Sequence, residues 1–197
     1  MQEPTSLALT SPASRYAAAT RPGFLTAAAV PVFIGLAMSH PTSAVGWFAA
    51  LLTLIGAVAA HAGINVLNDY YDDRAGCDAI NDDRVFPFTG GSRIIQNQVL
   101  RPDQMAWFGW LLFATAAVIG IVLTGISGWG LIAIGLAGLF LGWAYSAPPF
   151  RLCGRGLGEV TVGLGFGTLI PVGTAYVQLG EAEKGAAGRL HGRVSSV

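Results

Sequence analysis

The chain carries five long apolar stretches, and this feature constrains its fold more than any other. They extend approximately over Gly23–Ser39, Val45–Leu67, Gln104–Thr124, Gly128–Tyr145 and Leu157–Leu179. About 20 apolar residues in a helix suffice to cross a bilayer. Since 53% of the 197 residues are hydrophobic and only 11% are charged, the composition excludes an ordinary soluble domain. The sequence therefore predicts an all-α, multi-pass transmembrane helical bundle.

The basic residues between these spans are distributed unevenly. Connectors 40–44 and 125–127 contain no Lys or Arg, whereas the N-terminal segment and the other two connectors hold Arg15, Arg21, Arg74, Arg84, Arg93, Arg101, Arg151 and Arg155. Five spans place all these arginines on one side of the membrane, which the positive-inside rule makes cytoplasmic. We therefore expect a protein of the cell (inner) membrane, surrounded by lipid, with cytoplasmic active-site loops. Lys+Arg and Asp+Glu both total 11, and this balance indicates no nucleic-acid partner.

The composition and the apolar spans divide the chain into three segments. Residues 1–20 are a polar N-terminal segment without the features of a cleavable signal peptide, residues 21–180 form the membrane domain, and residues 181–197 have the composition of a disordered tail. The tail breaks the charge pattern, because it would lie outside the membrane and yet contains Lys184, Arg189 and Arg193. The alternatives are a short outer tail and a truncated chain, and we favour truncation.

An acidic loop follows the second span. It holds seven of the 11 acidic residues, which are Asp69, Asp72, Asp73, Asp78, Asp82, Asp83 and Asp103. Asn68 and Asp72 are one helical turn apart, and Asp69 is adjacent to Asp72 at i, i+3. Gly76 lets the chain turn so that Asp78 can fold back toward them. Such oxygen ligands suit Mg²⁺, which takes one or two carboxylates with substrate phosphates and water. We predict a Mg²⁺ site at Asp69, Asp72 and Asp78, with Asn68 also catalytic; the alternative is a solvated acidic loop.

A polar stripe lies beneath this loop on the second span. His61, Asn65, Asn68 and Asp72 share one helix face, since they are spaced at i, i+4, i+7 and i+11. Polar groups inside a membrane are costly and usually line a cavity. A packing hydrogen bond would explain His61 alone. For the stripe as a whole we predict a cavity under the acidic loop, with His61 and Asn65 as substrate-binding residues.

Two further segments on the same side carry groups that can bind phosphate. The Gly-Gly-Ser-Arg run that ends at Arg93 offers exposed backbone amides, the Ser92 hydroxyl and a cation, and the connector after Tyr145 presents Arg151 and Arg155. We predict that the following residues bind substrate: Ser92, Arg93, Tyr145, Arg151 and Arg155. The alternative is that the arginines only determine the membrane topology. An acidic metal site that faces a basic loop at a membrane mouth indicates a ligand with a phosphate group and an apolar tail.

These segments resemble motifs of the UbiA superfamily of intramembrane prenyltransferases. Asn68-Asp-x-x-Asp72 followed by Asp78 resembles the first aspartate-rich motif, and the segments 89–96, 145–151 and 156–159 look most like the branch of 1,4-dihydroxy-2-naphthoate polyprenyltransferases in menaquinone biosynthesis. The resemblance extends from about Arg21 to Gly180. It implies a nine-helix fold, of which about five spans are present. It also implies Mg²⁺-dependent transfer of an isoprenyl group from a polyprenyl diphosphate to an aromatic acceptor.

The sequence departs from the family pattern at two points. Cys153 stands where family members commonly have a lysine, and nothing after Leu179 resembles the second aspartate-rich motif. The alternative to an active transferase is therefore a truncated, catalytically inactive paralogue or fragment. Two other classes fit less well. A CDP-alcohol phosphatidyltransferase needs Ala-Arg where the chain has Arg74-Ala75, and a transporter should show internal repeats.

Aromatic residues near the acidic loop are candidates for shielding an allylic cation. Cation–π attraction requires aromatic faces close to the charge. The candidates are Tyr70, Tyr71, Tyr145 and Phe150, with an interfacial aromatic belt as the alternative explanation.

Overall fold

The structure, a computed structural model, describes residues 3–77, 85–86 and 91–194, with side chains described as far as residue 185. Within these residues the fold consists of helices and contains no strand. The α-helices are α1 (Pro12–Ala19), α2 (Thr26–Ser39), α3 (Ala44–Ala75), α4 (Pro102–Ser127), α5 (Gly130–Ser146), α6 (Gly158–Leu164) and α7 (Ile170–Val194). A π-helical turn, Gly165–Leu169, joins α6 to α7. The predicted all-α bundle is confirmed.

The helices have the length and surface of a membrane protein. Four helical stretches of the described chain are long and apolar enough to span a membrane, namely Pro22–Ser39, Ala44–Ala75, Pro102–Ser127 and Gly158–Gly185. Helix α5 is also apolar and has 17 residues, which is near the lower limit for a span. Large hydrophobic side chains lie on the outside of the bundle, with Trp47 61% and Trp110 46% exposed. Such an apolar exterior fits a lipid environment.

Helix α3 extends beyond the apolar layer. It begins at Ser43, whose Oγ accepts a hydrogen bond from the Gly46 amide at 2.8 Å, and it ends at Gly76, where φ is 73°. Its 32 residues correspond to about 48 Å at 1.5 Å per residue, whereas the hydrocarbon core is about 30 Å thick. The sequence placed the end of this span at Leu67, and the helix continues to Ala75. The last two turns therefore carry polar residues toward the membrane surface.

Glycines allow the spans to approach closely. A Cβ atom on Gly109 of α4 would lie 2.7 Å from Leu67 Cγ of α3, and a Cβ atom on Gly35 of α2 would lie 2.6 Å from Thr174 Cβ of α7. Neither separation leaves room for a methyl group, so the backbones pack directly against neighbouring side chains. These two contacts hold α3 against α4 and α2 against α7.

The N-terminal segment packs against one end of the bundle. Ala19 at the end of α1 is fully buried in a cluster with Val66 of α3, Ile94 and Met105. Asn65 Nδ2 donates a hydrogen bond to the Thr20 carbonyl oxygen at 3.0 Å. Residues 1–20, predicted from composition as a separate polar segment, thus include a helix that covers the end of α3.

The C-terminal segment differs from the expected disordered tail. Helix α7 continues from Ile170 to Val194. Two polar contacts explain why it does not end at Gly180. Ser43 Oγ donates to Glu181 Oε1 at 2.9 Å, and Lys184 Nζ donates to the Gly125 carbonyl oxygen at 3.0 Å. Composition alone could not predict these contacts, because both partners belong to distant connectors.

Candidate functional site

The C-terminal end of α3 has two polar faces, and the first contains Asn68 and Asp72. Asn68 Nδ2 donates to Asp72 Oδ2 at 2.8 Å and to Ser146 Oγ at 2.7 Å. The side-chain nitrogen of Asn68 makes both hydrogen bonds, and its side-chain oxygen takes part in neither of them. Ser146 is the last residue of α5. The one-turn spacing predicted for Asn68 and Asp72 therefore places them together, beside the end of α5.

The second polar face of α3 contains Asp69 and Asp73. The Ser92 amide lies 3.2 Å from Asp69 Oδ1 and 3.1 Å from Asp69 Oδ2, and both residues are only 3% exposed. Gln96 Nε2 donates to Asp73 Oδ1 at 3.1 Å. This face therefore binds the segment 91–97. Asp69 is directed toward that segment, whereas Asp72 bonds with Asn68.

The segment after the acidic loop is held in a constrained conformation. Gly91 and Arg93 both have left-handed backbones, with φ of 72° and 62°, a region that non-glycine residues seldom adopt. The Ser92 hydroxyl accepts a hydrogen bond from the Ile94 amide at 3.3 Å, and Arg93 is 9% exposed. Of the amides and hydroxyl expected to be exposed in the Gly-Gly-Ser run, those of Ser92 are engaged by Asp69 and Ile94, and Gly90 lies outside the described residues. Arg93 is buried beside the same helix end.

The basic connector between α5 and α6 reaches the end of α3 through one of its two arginines. Arg151 Nη2 lies 3.7 Å from Cys77 Sγ, immediately beyond α3. Arg155 Nη2 instead donates to the Pro149 carbonyl oxygen at 2.8 Å, within its own connector. Burial raises the pKa of the Cys153 thiol, and the negative charge of Asp72 raises it further. This connector therefore lies close enough to Asp72 for the charge of that carboxylate to affect the Cys153 thiol.

A cavity of about 440 Å³ lies beneath this polar end, as the stripe on α3 predicted. His61, Asn65 and Asn68 line it from α3, and Tyr145 lines it from α5. His61 is 8% exposed, and its Nδ1 atom has no hydrogen-bond partner among the described residues. An unpaired nitrogen at a cavity wall can bind a ligand hydroxyl or carboxyl group. Three of the four residues of the predicted stripe therefore line a cavity, whereas Asp72 does not, and the acidic loop beyond Cys77 lies outside the described residues.

Two polar or aromatic residues of the cavity wall that the sequence did not single out as site residues are Arg21 and Phe166. Arg21 lines the cavity with its guanidinium carbon 4.5 Å from the centroid of the Phe24 ring. Phe166 lies in the π-helical turn, and its ring is edge-on to His61 with centroids 4.7 Å apart. In the sequence, Arg21 stands out only as a topology signal. Nothing in the apolar pattern marked Phe166, although the glycines on either side of it could have suggested an irregular turn.

The predicted aromatic shield is only partly at the cavity. Tyr145 lines it. Tyr70 and Tyr71 instead stack on each other with centroids 5.1 Å apart, and Phe150 packs on Phe140 at 5.4 Å. These three aromatic residues are absent from the cavity wall, and Phe166 is present in it. Tyr145 and Phe166, together with Phe24, are therefore the aromatic residues of the cavity wall.

The described residues contain two oxygen-donor side chains that could contribute to a metal site. No group of three or more His, Cys, Asp or Glu side chains between residues 3–77, 85–86 and 91–185 could hold a metal ion. Asp78, which was predicted as a ligand, lies outside the described residues. Asn68 and Asp72 provide hard oxygen donors on one face, and Mg²⁺ typically takes one or two carboxylates with substrate phosphates and water. These donors fit Mg²⁺ as a partial ligand set.

The fold and the cavity define a class of protein, a multi-pass helical membrane protein with an internal site beneath an acidic helix end. Comparison with known proteins gives the family. The sequence profile of the UbiA prenyltransferase family matches residues 28–183. The chain belongs to the UbiA prenyltransferase family, as the resemblance of its motifs predicted.

Several curated relatives are named as prenyl- or phytyltransferases of naphthoate or naphthoquinone compounds. The 1,4-dihydroxy-2-naphthoate octaprenyltransferase of Mycobacterium tuberculosis is 32% identical over 165 residues, which cover 84% of this chain and 54% of the relative. The 2-carboxy-1,4-naphthoquinone phytyltransferase of Synechocystis is 31% identical over 175 residues, covering 86% of this chain and 53% of the relative. The 1,4-dihydroxy-2-naphthoate octaprenyltransferase of Bacillus subtilis is 25% identical, with coverages of 81% and 49%. The chain spans about half the length of these relatives. No solved structure matches it significantly.

Proposed function

We propose that the protein transfers an isoprenyl group from a polyprenyl diphosphate to an aromatic acceptor, and that the acceptor is 1,4-dihydroxy-2-naphthoate in menaquinone biosynthesis. One observation carries this proposal: His61, Asn65 and Asn68 of α3 line a cavity of about 440 Å³, and Asn68 is hydrogen-bonded to Asp72. A cavity with a polar mouth and apolar walls suits a substrate with a charged head and an apolar chain. The names of the relatives, which include two naphthoate octaprenyltransferases, support the choice of acceptor.

Mg²⁺ is the cofactor in this proposal. Asp72 and the carbonyl oxygen of Asn68 would hold it, together with Asp78 from the acidic loop. Asp69, the remaining predicted ligand, accepts the Ser92 amide and is proposed to hold that segment at the site. When bound, Mg²⁺ neutralises diphosphate charge and makes the diphosphate a better leaving group.

The residues of the chain bind, orient and shield the reactants. The bond between C1 of the isoprenyl group and the diphosphate oxygen breaks, and its electron pair leaves with the diphosphate. Arg151 beside the end of α3 provides positive charge for that leaving group, with Arg93 and Arg155 as further cations near the mouth. Tyr145 and Phe166 offer aromatic surface to the positive charge that develops on the allylic carbons.

The acceptor occupies the polar wall of the cavity. A ring carbon of the acceptor forms the new bond to C1 and releases its carboxyl group as CO₂. The unpaired Nδ1 of His61 is the proposed contact for an acceptor hydroxyl group, with Asn65 beside it. Arg21, which lines the same wall, is the proposed contact for the carboxylate of the acceptor.

We propose that the site opens toward the cytoplasm at the cell membrane. The support is that α1, the segment near Ile94, the Arg151 connector and the polar end of α3 all meet at one end of the bundle. The arginines of these elements would then share one membrane face, as the positive-inside rule requires.

A transfer assay tests the proposed function. Membranes that contain the protein are incubated with radiolabelled farnesyl diphosphate, 1,4-dihydroxy-2-naphthoate and Mg²⁺, and the prenylated product is extracted. Asp72→Asn should lower the rate by about 100-fold, equivalent to about 2.7 kcal/mol of transition-state stabilisation. Asp103→Asn is the matched control, because this carboxylate is 65% exposed and pairs with Arg101. Absence of transfer by the wild-type protein, or equal rates in the two variants, would contradict the proposal.

A further inference from the structure

A second cavity adjoins the first one toward the N-terminal end of α3. It has a volume of about 240 Å³ and is lined almost entirely by apolar residues of α3, α4, α5 and α7. Five residues line both cavities, namely Ala57, Ala60, Gly138, Leu169 and Ile170. The two cavities are therefore neighbours that share one wall, which we call the neck and define by these five residues.

The neck contains little side-chain volume at three of its positions. Ala57 and Ala60 contribute one methyl group each from α3, and Gly138 contributes none from α5. A Cβ atom built on Gly138 would meet no heavy atom within 4 Å. Open space therefore lies beside Gly138, whereas Gly142, one turn further along α5, is packed with Ile64 Cδ1 2.7 Å from a built Cβ. The glycine at the neck is not needed for helix packing.

The polar and apolar parts of the site are ordered along α3. Asn68, Asn65 and His61 line the first cavity, Ala60 and Ala57 belong to the neck, and Thr53 lines the second cavity. The distance from Asn68 to Thr53 along the helix is about 22 Å at 1.5 Å per residue. A ligand with its charged head near Asn68 would reach the second cavity only if its apolar chain contained several isoprene units.

The second cavity also contains glycines with open space. Gly120 of α4 and Gly135 of α5 both line it, and a Cβ atom on either would meet no heavy atom within 4 Å. The interior unpaired Nδ1 of His61 lies on the head-group side of the neck. One side of the neck can thus bind polar atoms, while the other side offers mainly apolar surface, because the threonine hydroxyls there donate to backbone carbonyls of their own helices.

We propose that the neck beside Gly138 sets the preference for isoprenyl chain length, by admitting the distal part of the chain into the second cavity. This inference rests on the proposed function and names the substrate class, which is a diphosphate whose chain is long enough to pass Gly138. Short isoprenyl diphosphates occupy the first cavity alone. Each methylene group withdrawn from apolar surroundings weakens binding about fourfold, so closing the neck selectively weakens the binding of long chains.

Substitution of Gly138 tests this proposal. Binding of tritiated geranyl, farnesyl and geranylgeranyl diphosphate is measured with Mg²⁺ by scintillation proximity on the full chain in detergent. Gly138→Leu fills the open space at the neck and should weaken geranylgeranyl diphosphate binding by at least about tenfold, while geranyl diphosphate binding changes by less than about twofold. Gly163→Leu is the matched control, since Gly163 lines neither cavity, is exposed and also has open space around a built Cβ. It should bind all three ligands like the wild type.

If Gly138→Leu fails to fold, a second variant tests whether the neck determines the chain-length preference. Gly135→Leu narrows the second cavity beyond the neck, and it should weaken geranylgeranyl diphosphate binding while leaving geranyl diphosphate binding intact. Equal effects on long and short chains, or no effect in either folded variant, would overturn the role of the neck. Failure of the wild-type protein to bind any of the three diphosphates would instead refute the proposed function.

Discussion

Replacing Asp69 with alanine tests whether this buried carboxylate holds the segment 91–97 against α3. Both of its oxygens lie within 3.2 Å of the Ser92 amide, and both residues are 3% exposed. A hydrogen bond to a charged group contributes about 1.5–3 kcal/mol, and a buried amide left without an acceptor costs about 1–3 kcal/mol. Both figures describe the loss of the same hydrogen bond, so they are not added together. We therefore expect Asp69→Ala to lower the free energy of unfolding by about 2–3 kcal/mol.

Asp73→Ala is the matched control on the same helix face. Asp73 is half-buried and accepts one hydrogen bond from Gln96 Nε2 at 3.1 Å, so its loss should cost only about 0.5–1 kcal/mol. Unfolding is measured by titration with SDS in mixed micelles. Equal free energies of unfolding for Asp69→Ala and Asp73→Ala would refute the reasoning.

The same variants separate a positioning role from metal binding. If Asp69 acts through Ser92, then the amide oxygen in Asp69→Asn still accepts that hydrogen bond. The Mg²⁺ concentration for half-maximal diphosphate binding should then stay within about twofold of the wild-type value. Asp72→Asn should raise that concentration at least about tenfold. An increase of similar size in both variants would mean that Asp69 is itself a metal ligand, as its spacing first indicated.

Three further predictions concern topology, thiol reactivity and packing. In inside-out vesicles the exposed Cys77 should react with an impermeant maleimide; labelling only in right-side-out vesicles would reverse the proposed topology. Cys153, whose pKa is raised by burial and by Asp72, should have a smaller thiolate fraction below that pKa than an unperturbed thiol. In the Cys77→Ser variant, alkylation of Cys153 should accelerate as pH rises. Adding Asp72→Asn should lower the pKa of Cys153 and increase its alkylation rate at pH 8, and an unchanged rate would contradict this prediction. Gly109→Leu should destabilise the bundle by about 1–3 kcal/mol in the SDS titration, because a Cβ there would lie 2.7 Å from Leu67 Cγ; wild-type stability would contradict the packing.

The sequence predicted the parts of the site that lie on one regular helix. Helical periodicity placed His61, Asn65, Asn68 and Asp72 on one face. The first three lie at the cavity wall, and Asp72 does not. Periodicity also paired Asn68 with Asp72, which are hydrogen-bonded. These predictions succeeded because the spacing of side chains within a helix is fixed by its geometry.

The contacts that depend on tertiary partners could not be predicted in this way. Neighbouring acidic residues at the end of α3 diverge onto two faces, and Asp69 accepts a hydrogen bond from the amide of Ser92, which is 23 residues away in the sequence. Phe166 reaches the cavity through a π-helical turn, which breaks the spacing that a regular helix from Leu157 to Leu179 would have. Glu181 continues α7 by bonding to Ser43, a residue far away in the sequence.

Photo-crosslinking tests the central claim, that the isoprenyl diphosphate binds in the cavity beneath the polar end of α3. A farnesyl diphosphate analogue with a diazirine on its chain is irradiated with the membrane-embedded protein, and the modified peptides are identified by mass spectrometry. We predict Mg²⁺-dependent labels on the cavity walls, at Tyr145 of α5 or Phe166 of the π-helical turn, that unlabelled farnesyl diphosphate displaces. Labels confined to lipid-facing residues such as Trp47 or Trp110, unaffected by Mg²⁺ or competitor, would contradict the account.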